Sequence, residues 1–199
     1  RKDHRLLVIV GPCSIHDIES AKEYGLRLKE LSKKVNETLF IVMRVYFEKP
    51  RTNIGWQGFI NDPFLDKSYQ VDRGLKLARQ LLLHFAENGL PTASEAIDLI
   101  TPQYIQDLIS WIAIGARTSE SQLHRKMASG SSCPIGFKNS TNGNVTIAVN
   151  ALIAAARENY YFNINSFGQV ILVRTKGNLY SHVILRGGSG RGNYYSQDI

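Results

Sequence analysis

Four apolar runs of this chain carry a basic residue at or near their end. They are FIVMRVY with Arg44, WIAIGAR with Arg117, CPIGFK with Lys138 and HVILRGG with Arg186. Each run has the length and continuous apolarity of a strand that is buried on both faces of a sheet. Parallel strands of this kind end on the same side of an α/β fold, where ligands bind. The sequence therefore predicts that four cations converge at one end of a parallel sheet.

A cluster of three arginines and one lysine predicts a strongly anionic small ligand, most simply a phosphorylated one. The alternative is that each basic residue is a solvated cap, which is the commoner role of any single residue at a strand end. Four recurrences, three of them with glycine close by, favour the shared pocket.

The composition limits the class of protein. With 199 residues, the chain is long enough for a single domain, 1–199, with a sizeable core. Its 43% hydrophobic and 21% charged residues are typical of a soluble globular protein. No apolar run reaches the roughly 18–20 residues of a membrane helix, and the N-terminus does not resemble a signal peptide. Two cysteines, Cys13 and Cys133, favour a reducing compartment, so we expect a cytoplasmic protein with no membrane partner.

The net charge of +7 is high enough to suggest nucleic-acid binding. The lysines and arginines are scattered, however, and no nucleic-acid motif is present. We therefore expect no nucleic-acid partner. A nucleic-acid binder would show an affinity that falls steeply with salt and is indifferent to small phosphorylated ligands.

Strand-like runs alternate with segments of helical period. The predicted strands are Leu6–Gly11, Phe40–Tyr46, Pro91–Ala96, Trp111–Ala116, Cys133–Lys138 and His182–Gly187. The predicted helices are Ile18–Val35, Val71–Asn88, Pro102–Ser110, Ser119–Ala128 and Val145–Glu158. This alternation predicts βα units with a parallel sheet, interrupted by an inserted hairpin over Tyr160–Thr175. Six strands leave two alternatives, a smaller open sheet or a barrel that is cut short, and the absence of a closing helix favours the second.

Six sequence segments together resemble one enzyme family. They are GPCSIHD, MRVYFEKPRT, GFINDP, IGART, GFKN and ILRGG, in this order and nearly without gaps. The chain resembles the class I 3-deoxy-D-arabino-heptulosonate 7-phosphate (DAHP) synthases, the entry enzymes of aromatic amino-acid biosynthesis. The resemblance implies an α/β fold of the TIM (β/α)₈ barrel family, here about six of eight βα units plus the hairpin. It also implies condensation of phosphoenolpyruvate with erythrose 4-phosphate, which releases phosphate.

The resemblance also assigns roles to individual residues. The phosphate of phosphoenolpyruvate would be held by cations and by a backbone amide at Ala116, Arg117, Lys138 and Arg186. Arg44 and Lys49 would lie near its carboxylate and the reacting centre, with Lys49 a candidate proton donor. Arg51 and Thr52 would bind the phosphate of erythrose 4-phosphate.

Two further assignments leave alternatives open. Glu95 would orient a water molecule or a lysine, or it merely forms an ion pair with Lys49 or Lys138. Cys13 matches a ligand of the divalent metal, manganese or iron, that the family uses; from the residues alone, a small buried residue in a tight turn is equally plausible. His16 and Asp17 are excluded from the site, because an Asp at a helix start is more often a cap. Cys133 is expected only to pack.

The sequence also departs from the family pattern. The segments that would carry the His, Glu and Asp metal ligands do not follow Arg186. Either this chain is part of a longer synthase or is completed by a second polypeptide, or it is a catalytically incomplete fragment that at most binds phosphorylated ligands or a partner. Ser140 replaces a family glycine, which would be costly if that position needs a positive φ, and Asn142 replaces an aspartate.

The resemblance further implies feedback control and assembly. An aromatic amino-acid effector would bind near Thr101–Gln103, Ser131–Ser132 and the hairpin Tyr160–Thr175. Family members assemble as dimers or tetramers, so a homo-oligomer is expected for the full-length form.

Overall fold

The computed structural model describes residues 3–51, 53–165 and 167–188 of the chain. Its internal contacts divide the chain into two compact units, Arg1–Ser110 and Trp111–Ile199. Each unit has three parallel strands that alternate with helices, as the apolar runs predict. The single domain over 1–199 stays a prediction, since this division does not test it.

The first unit has three strands and three helices. The strands are β1 (Leu6–Val10), β2 (Leu39–Arg44) and β3 (Thr92–Ala96), and the helices are α1 (Ile18–Lys34), α2 (Val71–Glu87) and α3 (Thr101–Ile105). Strand β2 pairs in parallel with β1 on one side and with β3 on the other. Apolar side chains of β2 and of one face of α2 form the core. Met43 of β2 and Leu82 and Phe85 of α2 are almost fully buried.

The second unit combines a parallel sheet with the predicted hairpin. Its strands are β4 (Trp111–Ile114), β5 (Ile135–Lys138), β6 (Asn159–Ile164), β7 (Val170–Thr175) and β8 (His182–Ile184), and its helices are α4 (Gln122–Gly130) and α5 (Thr146–Ala155). Strand β5 lies between β4 and β8, parallel to both. Strands β6 and β7 form the antiparallel hairpin, which is confirmed. Helix α5 contacts β5, β8 and α4, and its alanines at Ala148, Ala151 and Ala155 are fully buried; such small side chains permit close packing.

Helix ends differ from the predicted bounds for local reasons. Helix α4 begins later than predicted, because Ser121 is its N-cap and accepts a hydrogen bond from His124 N at 3.4 Å. Helix α5 ends earlier, where the carbonyl of Ala155 accepts the N–H of Asn178 at 2.8 Å. Helix α3 changes after one turn into a 3₁₀ turn over Gln106–Leu108. Within the described residues, no helix combines the length and apolarity needed to cross a membrane.

Candidate functional site

In the first unit, two predicted cations meet at Cys13, which follows β1 and is exposed. The Lys49 ammonium lies 3.0 Å from Cys13 Sγ and 3.4 Å from its carbonyl oxygen. The Arg44 guanidinium donates to the same carbonyl oxygen at 3.0 Å. The hydrogen bond and charge of Lys49, followed by the charge of Arg44, lower the pKa of the Cys13 thiol below its ordinary value. The sequence alternative of a small buried residue is therefore wrong for Cys13.

Packing holds Arg44 at the end of β2. Its guanidinium carbon lies 4.1 Å from the centre of the Tyr46 ring, which is a cation–π arrangement. A Cβ at Gly11 would come within 2.5 Å of the Arg44 carbonyl oxygen, so the end of β1 approaches β2 closely only because Gly11 has no side chain. Arg44 Nε is buried and has no hydrogen-bond partner among the described residues. A buried cationic donor in this state fits an anionic ligand oxygen.

A folded-back segment positions Lys49. Glu48 forms a single antiparallel bridge with Gly58, and Lys49 N donates to Gln57 O at 2.8 Å. Arg51 lies on the same segment, is exposed, and donates through Nε to Trp56 O at 2.6 Å. Thr52, the other residue assigned to erythrose 4-phosphate, lies outside the described residues.

Glu48 of this segment forms a pair with Asp98, which the sequence interpretation missed; Glu48 is buried and Asp98 is half-buried. Glu48 is 6% exposed and hydrogen-bonds Asp98, while Thr101 Oγ1 lies 3.3 Å from Glu48 Oε1 and 2.8 Å from Asp98 Oδ2. Burial, followed by the contact with Asp98, raises the pKa of Glu48 to about 9. Burial also pushes the pKa of Asp98 upward, but its hydrogen bonds with Glu48 and Thr101 outweigh this and leave the pKa below its ordinary value. Such a pair shares one proton at neutral pH.

Glu95 lies in β3, where it is buried. After burial itself, the charge of Glu95 is the next largest cause that raises the pKa of the Tyr46 hydroxyl. It also contributes to the raised pKa of Glu48. Glu95 is thus electrostatically coupled to the group beside Arg44, and its predicted role in orienting water stays a prediction.

In the second unit, three predicted cations follow the ends of three paired strands. Lys138 is the last residue of β5, Arg186 lies two residues past β8, and Arg117 lies three residues past β4, after Ala116. Two fully buried polar side chains, Ser119 and Asn139, bond the backbone around these positions. The convergence of Arg44 with the three cations of the second unit stays a prediction.

The loop after β5 answers the question about Ser140. Among the described residues, those other than glycine with a positive φ are Leu65, Lys67 and Tyr69. Ser140 is not among them, so the cost that a positive φ would bring at this position does not arise. Its hydroxyl accepts the N–H of Asn144 at 3.1 Å, and Gly143 has the positive φ of 91°. The remaining tail, 189–199, lies outside the described residues.

The donor set in the described residues does not make a metal site. Across residues 3–51, 53–165 and 167–188, no three or more His, Cys, Asp or Glu side chains come together as a metal would require. Asp17 is confirmed as a helix cap, because its carboxylate accepts the N–H of Ser20 at 2.7 Å. Cys133 is confirmed as a packing residue: it is buried, and burial raises the pKa of its thiol. Cys13 is left as one candidate thiolate ligand.

Comparison with known proteins shows what the chain is related to. The Tyr-sensitive phospho-2-dehydro-3-deoxyheptonate aldolase of Salmonella typhimurium is 57% identical over 198 residues, which is 100% of this chain and 55% of the relative. The Trp-sensitive aldolase of Escherichia coli is 55% identical over 198 residues, 100% of this chain and 57% of the relative. The chain thus spans about half the length of the curated relatives it matches.

A solved structure supports the same relationship. The phospho-2-dehydro-3-deoxyheptonate aldolase of Francisella tularensis superimposes with a TM-score of 0.96 at 53% identity, over 99% of this chain and 58% of that one. The predicted fold class, an α/β chain with about six βα units of a TIM barrel and an inserted hairpin, is confirmed. The sequence model of the DAHP synthetase I family matches residues 1–199, so the chain belongs to that family.

Proposed function

We propose that this chain is the substrate-binding part of a DAHP synthase. The complete enzyme condenses phosphoenolpyruvate with D-erythrose 4-phosphate and water to give 3-deoxy-D-arabino-heptulosonate 7-phosphate and phosphate, the first step of the shikimate pathway. The activity is assigned to the complete synthase, because the chain spans 55% of the length of its Salmonella relative.

The observation that carries the proposal is the cluster at Cys13. Lys49 and Arg44 both bond this residue, at 3.0 Å each. Even as a thiolate, Cys13 could not neutralise two cations, so the cluster keeps a net positive charge next to the end of a parallel strand. An anionic substrate group such as a carboxylate complements that charge.

The chain's residues would divide the chemistry between the two substrates. Arg117, Lys138 and Arg186 would bind the phosphate of phosphoenolpyruvate, and Arg44 its carboxylate. Because an enol carbon is a weak nucleophile, holding it beside the aldehyde contributes much of the rate. Once the C–C bond forms, phosphate leaves from a position that is already neutralised by cations.

Proton transfer and the second substrate involve the remaining residues. Lys49 would donate a proton near the reacting centre, and Glu95 would position the water that adds to the phosphate-bearing carbon. Arg51 and Thr52 would bind the phosphate of erythrose 4-phosphate. The divalent metal that the family implies, of the Mn²⁺ or Fe²⁺ type, would use Cys13, but one thiolate does not make a specific site for it.

We further propose that the complete synthase is regulated by an aromatic amino acid and works in the cytoplasm. The names of the relatives include Tyr-sensitive and Trp-sensitive enzymes, and an aromatic amino acid is the proposed effector of this synthase too. The complete enzyme would form a homo-oligomer. A cytoplasmic location suits the exposed Cys13 thiol, whose lowered pKa makes it prone to oxidation elsewhere.

The test measures phosphate release by the purified chain with phosphoenolpyruvate, erythrose 4-phosphate and Mn²⁺, beside a chelator control. Chelator-sensitive release that needs both substrates would assign the activity to this chain. Binding of phosphoenolpyruvate without release is the result we expect, because the described residues do not complete a metal donor set at Cys13. A folded chain that neither binds phosphoenolpyruvate nor releases phosphate would contradict the proposal.

A second candidate function follows from the same incomplete donor set. The chain would then be a non-catalytic piece that binds phosphorylated ligands or a partner chain without supporting turnover in any assembly. Adding the remaining part of a relative as a separate polypeptide distinguishes the two candidates. Restored phosphate release favours the synthase. If the two polypeptides demonstrably form a complex and still release no phosphate, the result favours the binding piece.

A further inference from the structure

Two of the three cations of the second unit, Arg117 and Arg186, lie on backbone beyond the paired part of the sheet. The β4–β5 pairing extends to Ile114 and Phe137, and the β5–β8 pairing extends to Lys138 and Ile184. Arg117 and Arg186 lie beyond these last pairs. Some other interaction must therefore fix their distance from Lys138.

Asn139 supplies that interaction for Arg186. Its amide donates from Nδ2 to Arg186 O at 3.1 Å and accepts at Oδ1 from Arg186 N at 2.7 Å. The backbone N–H of Asn139 donates to Ile184 O at 3.2 Å. One buried side chain thus satisfies both backbone groups of Arg186 and extends the parallel pairing by two residues.

Ser119 acts in the same way between β4 and β5. Its hydroxyl lies 2.6 Å from Lys138 O and 3.0 Å from Gly115 O. Gly115 O already accepts the N–H of Ser119 at 2.9 Å, so the Ser119 hydroxyl donates its hydrogen bond to Lys138 O. The turn that contains Arg117 is therefore tied to the end of β5, and Arg125 anchors it from α4 by donating to Ser119 O at 2.8 Å.

We propose that Ser119 and Asn139 are positioning residues that hold the three cation-bearing segments at the spacing a phosphate group requires. This inference rests on the proposed function, since it concerns the residues assigned to phosphoenolpyruvate. Cations that gather around one ligand repel one another in its absence, so neutral bonds to their backbone resist separation of the segments. A small displacement of such groups weakens binding even though every cation is still present.

The test measures the Kd of phosphoenolpyruvate and of inorganic phosphate by calorimetry, on the full chain and well below its melting temperature. Ser119→Ala is expected to raise the Kd of both probes about three- to tenfold, which corresponds to the loss of one net hydrogen bond. Asn139→Ala removes two bonds and is expected to raise it roughly tenfold or more.

Ser129→Ala is the matched control. Ser129 is 2% exposed, and its hydroxyl lies 2.7 Å from Lys126 O and 2.6 Å from Thr175 Oγ1. The Ser129→Ala variant therefore loses a buried hydroxyl with two partners in the same unit, neither of which lies on the segments of Arg117, Lys138 or Arg186. Both serine variants should lower the melting temperature, but Ser129→Ala should leave the Kd unchanged.

Ser119→Thr tests the hydroxyl itself, because it keeps the donor and should restore the wild-type Kd. Should Ser119→Ala fail to fold, Ser119→Cys nearly preserves the shape with a much weaker donor and carries the same expectation. Equal Kd values for wild type, Ser119→Ala and Ser129→Ala would overturn the positioning role and leave the proposed function intact. A wild-type chain that binds neither probe would overturn both.

Discussion

The two units hold their predicted cations by different means. In the first unit, Arg44 and Lys49 contact Cys13 through their own charged groups. In the second unit, the neutral side chains of Ser119 and Asn139 bond the backbone around the cations. The first arrangement therefore depends on which groups are ionised, whereas the second does not. Changes of pH and thiol modification should therefore act mainly on the first unit, and hydrogen-bond deletions mainly on the second.

The largest effect that separates the units is expected from Glu48, the buried acid that is paired with Asp98 in the first unit. Burial, followed by the contact with Asp98, raises the pKa of Glu48 to about 9 in the folded chain, well above the ordinary value of a glutamate. A raised carboxyl pKa means that folding takes up a proton. The contribution of protonated Glu48 to the free energy of unfolding is therefore complete below about pH 4.5 and is lost as the pH rises through 9. Asp98 has a lowered pKa, and its opposite contribution is lost only in more acidic solution.

Glu48→Gln removes this titration and keeps a hydrogen-bonding side chain toward Asp98 and Thr101. Between pH 6 and 9 we expect the wild type to lose stability relative to the variant by up to about 4 kcal/mol, or roughly 10 °C in melting temperature. Thermal melts of both proteins across this range measure the difference. The charge of Glu95 also contributes to the raised pKa of Glu48, so Glu95→Gln should reduce the loss without removing it. If the melting temperatures of wild type and Glu48→Gln depend on pH in the same way, Glu48 is ionised across the whole range and the expectation is contradicted.

A smaller effect is expected where β1 approaches β2. Gly11→Ala would force a Cβ to within 2.5 Å of the Arg44 carbonyl oxygen, and we expect a loss of about 2–3 kcal/mol in stability. Gly89→Ala is the control, because its φ of 67° is unfavourable for alanine while no atom lies within 4 Å of the new Cβ. It should cost only about 1 kcal/mol. Urea unfolding of both variants compares them, and equal losses would mean that the strand ends yield without strain.

The smallest effect concerns the reactivity of Cys13. Lys49→Ala removes the largest cause of its lowered pKa, so less thiolate is present at neutral pH. We expect alkylation by iodoacetamide at pH 7.5 to slow roughly three- to tenfold. Cys133 is buried and should contribute little to the labelling. Lys34→Ala removes an exposed charge at the end of α1 and should leave the rate unchanged; equal slowing in both variants would assign the effect to overall charge.

The sequence predicts the strands and helices well, for a simple physical reason. Strands that are buried on both faces have unbroken apolar sequences, and helices show a helical period in their apolar residues. The bounds of each of the six parallel strands therefore agree with the predicted bounds within a few residues. The bounds fail where a side chain caps a helix, as Ser121 does, or where another segment bonds the last carbonyl, as at Ala155. Such contacts are not visible in local periodicity.

The candidate site is predicted less completely. Family motifs contain Cys13, Arg44 and Lys49, but they do not reveal that the lysine ammonium lies against the thiol. Asn139 reads as an ordinary loop residue, since its two bonds to Arg186 join positions 47 residues apart. Glu48 offers a clue that could have been used: a lone carboxylate beside the apolar run VYF is buried only with a partner.

The measurement that tests the account most directly is calorimetric titration of phosphoenolpyruvate into wild type, Lys138→Ala and Lys176→Ala. Lys176 is an exposed lysine of the same unit, so both variants lose one charge. We expect saturable binding by the wild type, a Kd raised about ten- to a hundredfold in Lys138→Ala, and no change in Lys176→Ala. Equal weakening in both variants, or wild-type heats that do not saturate, would contradict a specific phosphate site at the end of β5.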